Sequence, residues 1–140
     1  MITQTITNSF VEELLRGVHD FSTDTFKIAL YTANADLGAD TLTYIFPGEV
    51  VSFNYTPGGI PLTGVSVQQS GGVSFITFNN AVFQPAGFTA RGALIYNATK
   101  SNKSVAVLDF GDDKVSVNSF TVQMPSATAT SALIRVNKGV

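Results

Sequence analysis

His19 is the single imidazole of this 140-residue chain, and Asp20 follows it directly. A hydrolytic triad needs an imidazole base, a nucleophile and an orienting carboxylate that converge from separate parts of the fold. Neighbours in sequence rarely present that geometry. The expected role for His19 is a polar residue at a helix end, where exposed carbonyls favour a cation. With one His and no Cys, a zinc site is not expected.

Asp109-Phe110-Gly111 carries the letters of the kinase magnesium motif. The Gly-rich loop, strand lysine and catalytic loop that give those letters meaning are missing from this short sequence. Asp109, Asp112 and Asp113 would offer oxygens to a hard cation in a turn, but the spacing is not that of an EF-hand. They read as solvated turn carboxylates. Gly58-Gly59 and Gly71-Gly72 are not phosphate loops, because no Lys-Ser/Thr follows either pair. Asn54, Asn97 and Asn102 open glycosylation triplets that have no consequence without a secretory signal. Arg91 is one of three arginines and lies in the apolar run Phe88 to Tyr96. It would pair with a carboxylate across a subunit interface, where Arg is enriched, or within the chain, with Asp109 as the partner. No catalytic residue, metal or cofactor is expected, and the chain does not read as an enzyme.

The elements that must hold these residues are mostly strands. The length fits one domain. Charged residues make up 13% of the chain and hydrophobic ones 44%, with net charge -2. Ordinary soluble domains carry about twice that share of charge. Sparse charge suggests that neighbouring subunits cover part of the surface. The eight Lys and Arg are scattered, so no nucleic-acid partner is expected. No apolar run approaches a membrane span, and the opening Met1 to Ile6 lacks the features of a signal peptide.

Ser9 and Glu12 fit a capping box. Phe10, Val11, Leu14, Leu15 and Val18 follow at helical spacing, Gly17 ends the helix and Phe21 closes over it. The helix reads as a lid on a sheet. From residue 24 the period becomes two, with Phe26, Ile28 and Leu30 on one face and Lys27, Ala29 and Tyr31 on the other. Residues 33 to 61 form a long excursion with one or two short strands, closed by the turn Tyr55-Thr56-Pro57-Gly58-Gly59. Further strands are expected at Leu62–Gln68, Val73–Asn79, Phe88–Asn97, Ser104–Phe110, Val117–Met124 and Thr130–Val136. Turns at Gln69–Gly72, Ala98–Lys103 and Gly111–Lys114 separate several of them. The fold class is mainly β: an antiparallel β-sandwich or open barrel with one short N-terminal helix. Residues 1–8 read as an N-terminal arm and 9–140 as a single β-rich domain with a C-terminal extension.

Three segments together resemble small virion structural proteins of tailed bacteriophages. They are Asp24 to Thr32, then Tyr55-Thr56-Pro57-Gly58-Gly59, then Ala90 to Asn97 with Val105 to Gly111. The resemblance implies a phage structural protein, made in the host cytoplasm and residing in the virion. The expected role is a head decoration (cement) protein, a homo-oligomer, taken as a trimer, bound to the major capsid protein or other virion proteins. The alternative is a tail component (tube, adaptor or fibre-base protein), which would use a long hairpin at 33–61 to join rings. A carbohydrate-binding module would instead need an aromatic platform from Tyr44, Phe46, Phe53 and Tyr55. Interface candidates are Ile2, Ile6, Arg91, Tyr44, Phe46, Phe53, Tyr55, Leu133, Ile134 and Val136. The arm Ile2 to Thr7 and the segment Ala127 to Val140 are the expected intersubunit contacts.

Overall fold

A computed structural model describes residues 1–139. The fold is mainly β with one short helix, as the sequence suggests. The largest sheet is antiparallel, in the order β1 (Thr5–Ile6), β8 (Lys103–Val115), β7 (Thr89–Asn97), β2 (Phe26–Tyr31), β3 (Ile60–Pro61). A three-stranded sheet has the order β10 (Ile134–Asn137), β5 (Val73–Thr77), β4 (Ser66–Ser70). The remaining pair is β6 (Ala81–Phe83) with β9 (Phe120–Val122).

The period-two reading of β2 holds. Phe26, Ile28 and Leu30 enter the main core, and Ala29 and Tyr31 enter a second cluster on the opposite face. Neighbouring β7 divides in the same way, with Ala93 and Ile95 on one side and Leu94 and Tyr96 on the other. The two smaller sheets cover the first face through Ile76, Phe83, Phe120, Val122 and Ile134. The N-terminal residues and the excursion cover the second through Ile2, Ala35 and Leu37.

Helix α1 (Asn8–Leu15) starts earlier than the capping box implies. Thr7 is the N-cap, but its hydroxyl turns to the Val105 carbonyl, so Ser9 lies inside the helix and does not cap it. The C-terminus follows expectation. Gly17 has φ +72°, its N–H reaches Leu14 O, and the Val18 N–H reaches Glu13 O. That paired bonding satisfies carbonyls which the helix end would otherwise leave open. Phe21 packs edge-on against Phe10. The apolar stripe is narrower than the sequence suggests, because Val11 and Leu15 face outward.

The Gly71-Gly72 and Ala98–Lys103 turns form as expected, joining β4 to β5 and β7 to β8. The turn at Gly111–Lys114 does not. β8 continues through it, because β7 still has Thr89 and Ala90 to offer. Pairing jumps from Gly92↔Asp109 to Ala90↔Lys114, so the residues between are absorbed in a bulge. Several expected strands are also shorter: β9 spans only Phe120–Val122, and the strand expected at 62–68 is displaced to Ser66–Ser70.

The arm at 1–8 is not a separate segment. Thr5 and Ile6 pair with Val107 and Ala106, Ile2 bridges Leu37, and Thr7 is fully buried. The C-terminal segment likewise packs on its own domain, through Ala132, Ile134 and the β10–β5 pairing. Val140 lies outside the described residues.

Gly59 shows how closely the excursion returns to the sheet. It has φ +76°, and a Cβ built there would lie 1.8 Å from Ile28 O. Gly71 also has positive φ, but a Cβ there meets nothing within 4 Å. Gly59→Ala is therefore expected to lower the unfolding free energy by roughly 2 kcal/mol or more, through clash and strain together. Gly71→Ala should cost only about 1 kcal/mol, from conformation alone. Urea unfolding of the two variants measures the difference. Equal losses would show that close packing at Gly59 is not what requires glycine.

Candidate interaction surface

Residues 33–61 do not form a hairpin. They leave β2 at Thr32 and fold back along its open edge. The Thr32 N–H donates to Gly48 O, Val50 N–H to Leu30 O, and Leu62 N–H to Phe26 O. At residues 42–44 the excursion also touches the β7–β8 turn, where Tyr44 N–H donates to Asn102 O and Ser104 N–H to Leu42 O.

Glu49 fixes this arrangement. Its side chain is buried and accepts three hydrogen bonds: from Tyr44 Oη at 2.6 Å, Tyr55 Oη at 2.7 Å and Gly58 N at 2.8 Å. Tyr55 Oη in turn accepts the Leu30 N–H at 2.8 Å, which ties the cluster to β2. Tyr96 donates to Gly58 O at 2.6 Å and Tyr31 to Ile45 O at 2.5 Å. All four tyrosines of the chain thus converge on one buried carboxylate and its surrounding loop. Tyr44 also stacks on Tyr96 with centroids 5.1 Å apart. Carboxylate bonds from hydroxyl and amide donors are about twice as strong as neutral ones, and their directions pin the loop.

Burial raises the pKa of all four tyrosines above the ordinary phenol value, and the Glu49 charge reinforces the shift; Tyr96 is pushed up to about 12.

On this base stand three large apolar side chains that the fold does not cover. Phe46 is 56% exposed, Val51 84%, and Phe53 fully. Phe46 and Phe53 sit on tight turns flanking residues 49–51, closed by Glu49 N–H to Phe46 O and Tyr55 N–H to Ser52 O. Exposed apolar groups on a fixed loop are suited to contact with another macromolecule.

The other interface candidates divide. Ile2, Tyr55 and Ile134 are enclosed by their own chain, so the surface role assigned to them is overturned: their apolar bodies complete the two cores. Ile6 and Leu133 are half-buried against the main core. Tyr44 is half-buried and turned toward Glu49, so the four-membered aromatic platform of a carbohydrate site does not form; only Phe46 and Phe53 face outward. Val136 is exposed on β10. Arg91 pairs within the chain, its Nε 3.3 Å from Asp109 Oδ1. The Gly111 N–H and then Arg91 hold the Asp109 carboxyl below its usual range.

His19 lies just past the end of α1, but its partners are a carboxylate and an amide rather than the helix carbonyls. Its ring is fully enclosed beside Phe10 and Phe26. Nε2 lies 2.9 Å from Glu13 Oε1, and Nδ1 lies 3.0 Å from Asn97 Nδ2. Asn97 Oδ1 accepts the Thr99 and Lys100 N–H groups, so its amide nitrogen must face the ring, which fixes Nδ1 as acceptor and Nε2–H as donor. Asn97 also donates to Asp24, and Lys100 pairs with Asp24 at 3.1 Å. Burial disfavours the ionised Asp24, but bonds from Asn97, the Asp20 N–H and Lys100 outweigh it and lower its pKa. With both nitrogens committed, this chain of polar groups binds α1 to the β7–β8 turn. Among the described residues no cluster of three metal-ligating side chains occurs.

Sequence reasoning missed Glu49, although one signal was available: it is the sole acid between Asp40 and Asp109, in an aromatic and apolar stretch. Comparison with protein-family models, curated proteins and solved structures returns no match for this chain.

Glu49→Ala strands two hydroxyls and an amide and is expected to cost roughly 3 kcal/mol or more of stability. Glu49→Gln, which keeps one acceptor oxygen, should cost about 1–2 kcal/mol. Thermal and urea unfolding measure both, and a neutral Glu49→Ala would remove the cluster's role.

The pH dependence has two limbs. The tyrosines' folded pKa values are raised, so their contribution is present below about pH 10 and is lost as pH climbs through the folded values. The Asp24 value is lowered, so its contribution is present above about pH 4 and is lost as pH falls below it. Absorbance at the phenolate band should stay flat to well above pH 10 and then rise together with loss of β-sheet circular dichroism. Phenolate appearing near pH 10 in folded protein would contradict the cluster.

Proposed function

We propose that this chain is a structural protein of a tailed-bacteriophage virion, acting as a decoration protein that binds the outside of the head as a homo-oligomer. The observation that carries the reading is the display of Phe46, Val51 and Phe53 on a base fixed by Glu49 and the tyrosines. Apolar groups held in place lose little conformational freedom on contact, so more of the buried area appears as affinity. Low charge and the resemblance of residues 24–32, 55–59, 90–97 and 105–111 to small virion proteins support the same reading. In this role the loop would bridge neighbouring capsid subunits and bury apolar surface between them. The tail-component reading expects a ring-joining hairpin at 33–61, and that segment instead folds onto its own sheet.

Light scattering with negative-stain imaging of the purified protein tests the assembly: threefold units are expected, as three copies or as six in two joined trimers, whereas flat rings of six or long tubes would place it in the tail. The double variant Phe46→Asp/Phe53→Asp should nearly keep its melting temperature, because Phe53 is fully and Phe46 more than half exposed. It should lose at least about tenfold in occupancy on heads of the phage that encodes it. Unchanged occupancy would refute the role of this loop.

A further inference from the structure

Among the described residues the free edge of β4 differs from the other sheet edges, including the outer edge of β8 beyond β1, which carries Asp109, Asp112, Asp113 and Lys114 and a bulge. Edge strands present unpaired N–H and C=O groups, and proteins guard them by shortness, charge, proline or cover. β1 and β3 are two residues long, and β3 contains Pro61. β6 and β9 are three residues each, with Pro85 and Pro125 close behind. β10 carries Arg135, followed by Lys138, and Arg135 folds back to the Thr130 carbonyl. β4, Ser66-Val67-Gln68-Gln69-Ser70, has none of these devices. It is five residues long and bonds only to β5, and Val67 stands 60% exposed.

We propose that β4 pairs antiparallel with β4 of a second copy across a two-fold axis, extending the three-stranded sheet into one of six strands. Charge decides the partner. A two-fold axis brings each group near its own copy, so any ionised side chain there meets a like charge. The whole hairpin from Ser66 to Thr77 contains no charged residue. Pairing the strand about its midpoint sets Gln68 opposite Gln68, Val67 opposite Gln69 and Ser66 opposite Ser70. Every cross-strand neighbour is then neutral, and facing glutamines supply side-chain hydrogen bonds along the seam. Val67 would lie against the partner strand on the face it shares with Ile76 and Ile134, the residues beside it in register. The inference goes beyond the virion reading and does not require it.

The chain has no cysteine, so a single introduced thiol reports one contact. In the full-length protein, Gln68→Cys is expected to form a disulfide-linked dimer under mild oxidation at least tenfold faster than Thr121→Cys, an exposed control on β9. Equal rates would overturn the proposal. Light scattering separates this contact from the threefold association proposed above. Gln68→Lys places two ammonium groups on the axis and should halve an even-numbered mass, two copies to one or six to three, with circular dichroism unchanged. A three-copy mass that Gln68→Lys leaves intact would overturn the β4 contact and leave the virion reading standing. A two-copy mass that falls to one would support the β4 contact against a trimer.

Discussion

The central strands of this protein are apolar on both faces, and that constraint organises everything else. β2 and β7 send Phe26, Ile28, Leu30, Ala93 and Ile95 to one side and Ala29, Tyr31, Leu94 and Tyr96 to the other. A sheet of that kind is unstable with either face wet. One face is covered by two further sheets, an inexpensive solution for a β-rich chain. The other is covered by irregular backbone, which raises a different difficulty: buried loop backbone must find hydrogen-bond partners. The β2 edge supplies some through Leu30 O and Phe26 O, and the tyrosine hydroxyls supply others at Ile45 O and Gly58 O.

Glu49 resolves what remains of that difficulty. An isolated buried carboxylate would be strongly unfavourable. Here it receives two phenols and an amide, and those donors come from sequence positions that would otherwise have no reason to meet. Among the described residues, no buried side-chain nitrogen or oxygen is left without a partner. The His19 chain does the equivalent work at the helix end, joining Glu13, Asn97, Asp24 and Lys100 across elements far apart in sequence. Polar networks of this completeness favour one arrangement over its neighbours, because partial satisfaction is worse than none.

What the sequence made legible was local. The alternation in β2, the Gly71-Gly72 turn, the glycines after Pro57 and the glycine end of α1 all follow from backbone preferences within a few residues. The Arg91–Asp109 pair was legible as one of two readings, because both residues lie on strands with an evident short connection. The failures share a cause. Gly111-Asp112-Asp113 has turn chemistry, but a bulge uses the same chemistry, and only the length of the opposing strand decides between them. The Ser9–Glu12 capping box lost to Thr7 because Thr7 is anchored by β8, about a hundred residues away. The Glu49 cluster draws on residues 30 to 96, so no window of sequence contains it.

One consequence concerns how such a protein changes over generations. The side chains that hold the excursion in place and those it displays are different residues on the same short segment. Phe46, Val51 and Phe53 face solvent, while Tyr44, Glu49 and Tyr55 do the holding. Substitutions at the three displayed positions therefore meet little resistance from folding, and a lineage can alter its contact preference there without passing through unstable intermediates. Drift at the three holding positions is penalised whatever the partner. Diversity along residues 44–55 is thus expected to alternate between free and frozen sites on a scale of a few residues, a pattern set by the chain's own geometry rather than by its surroundings.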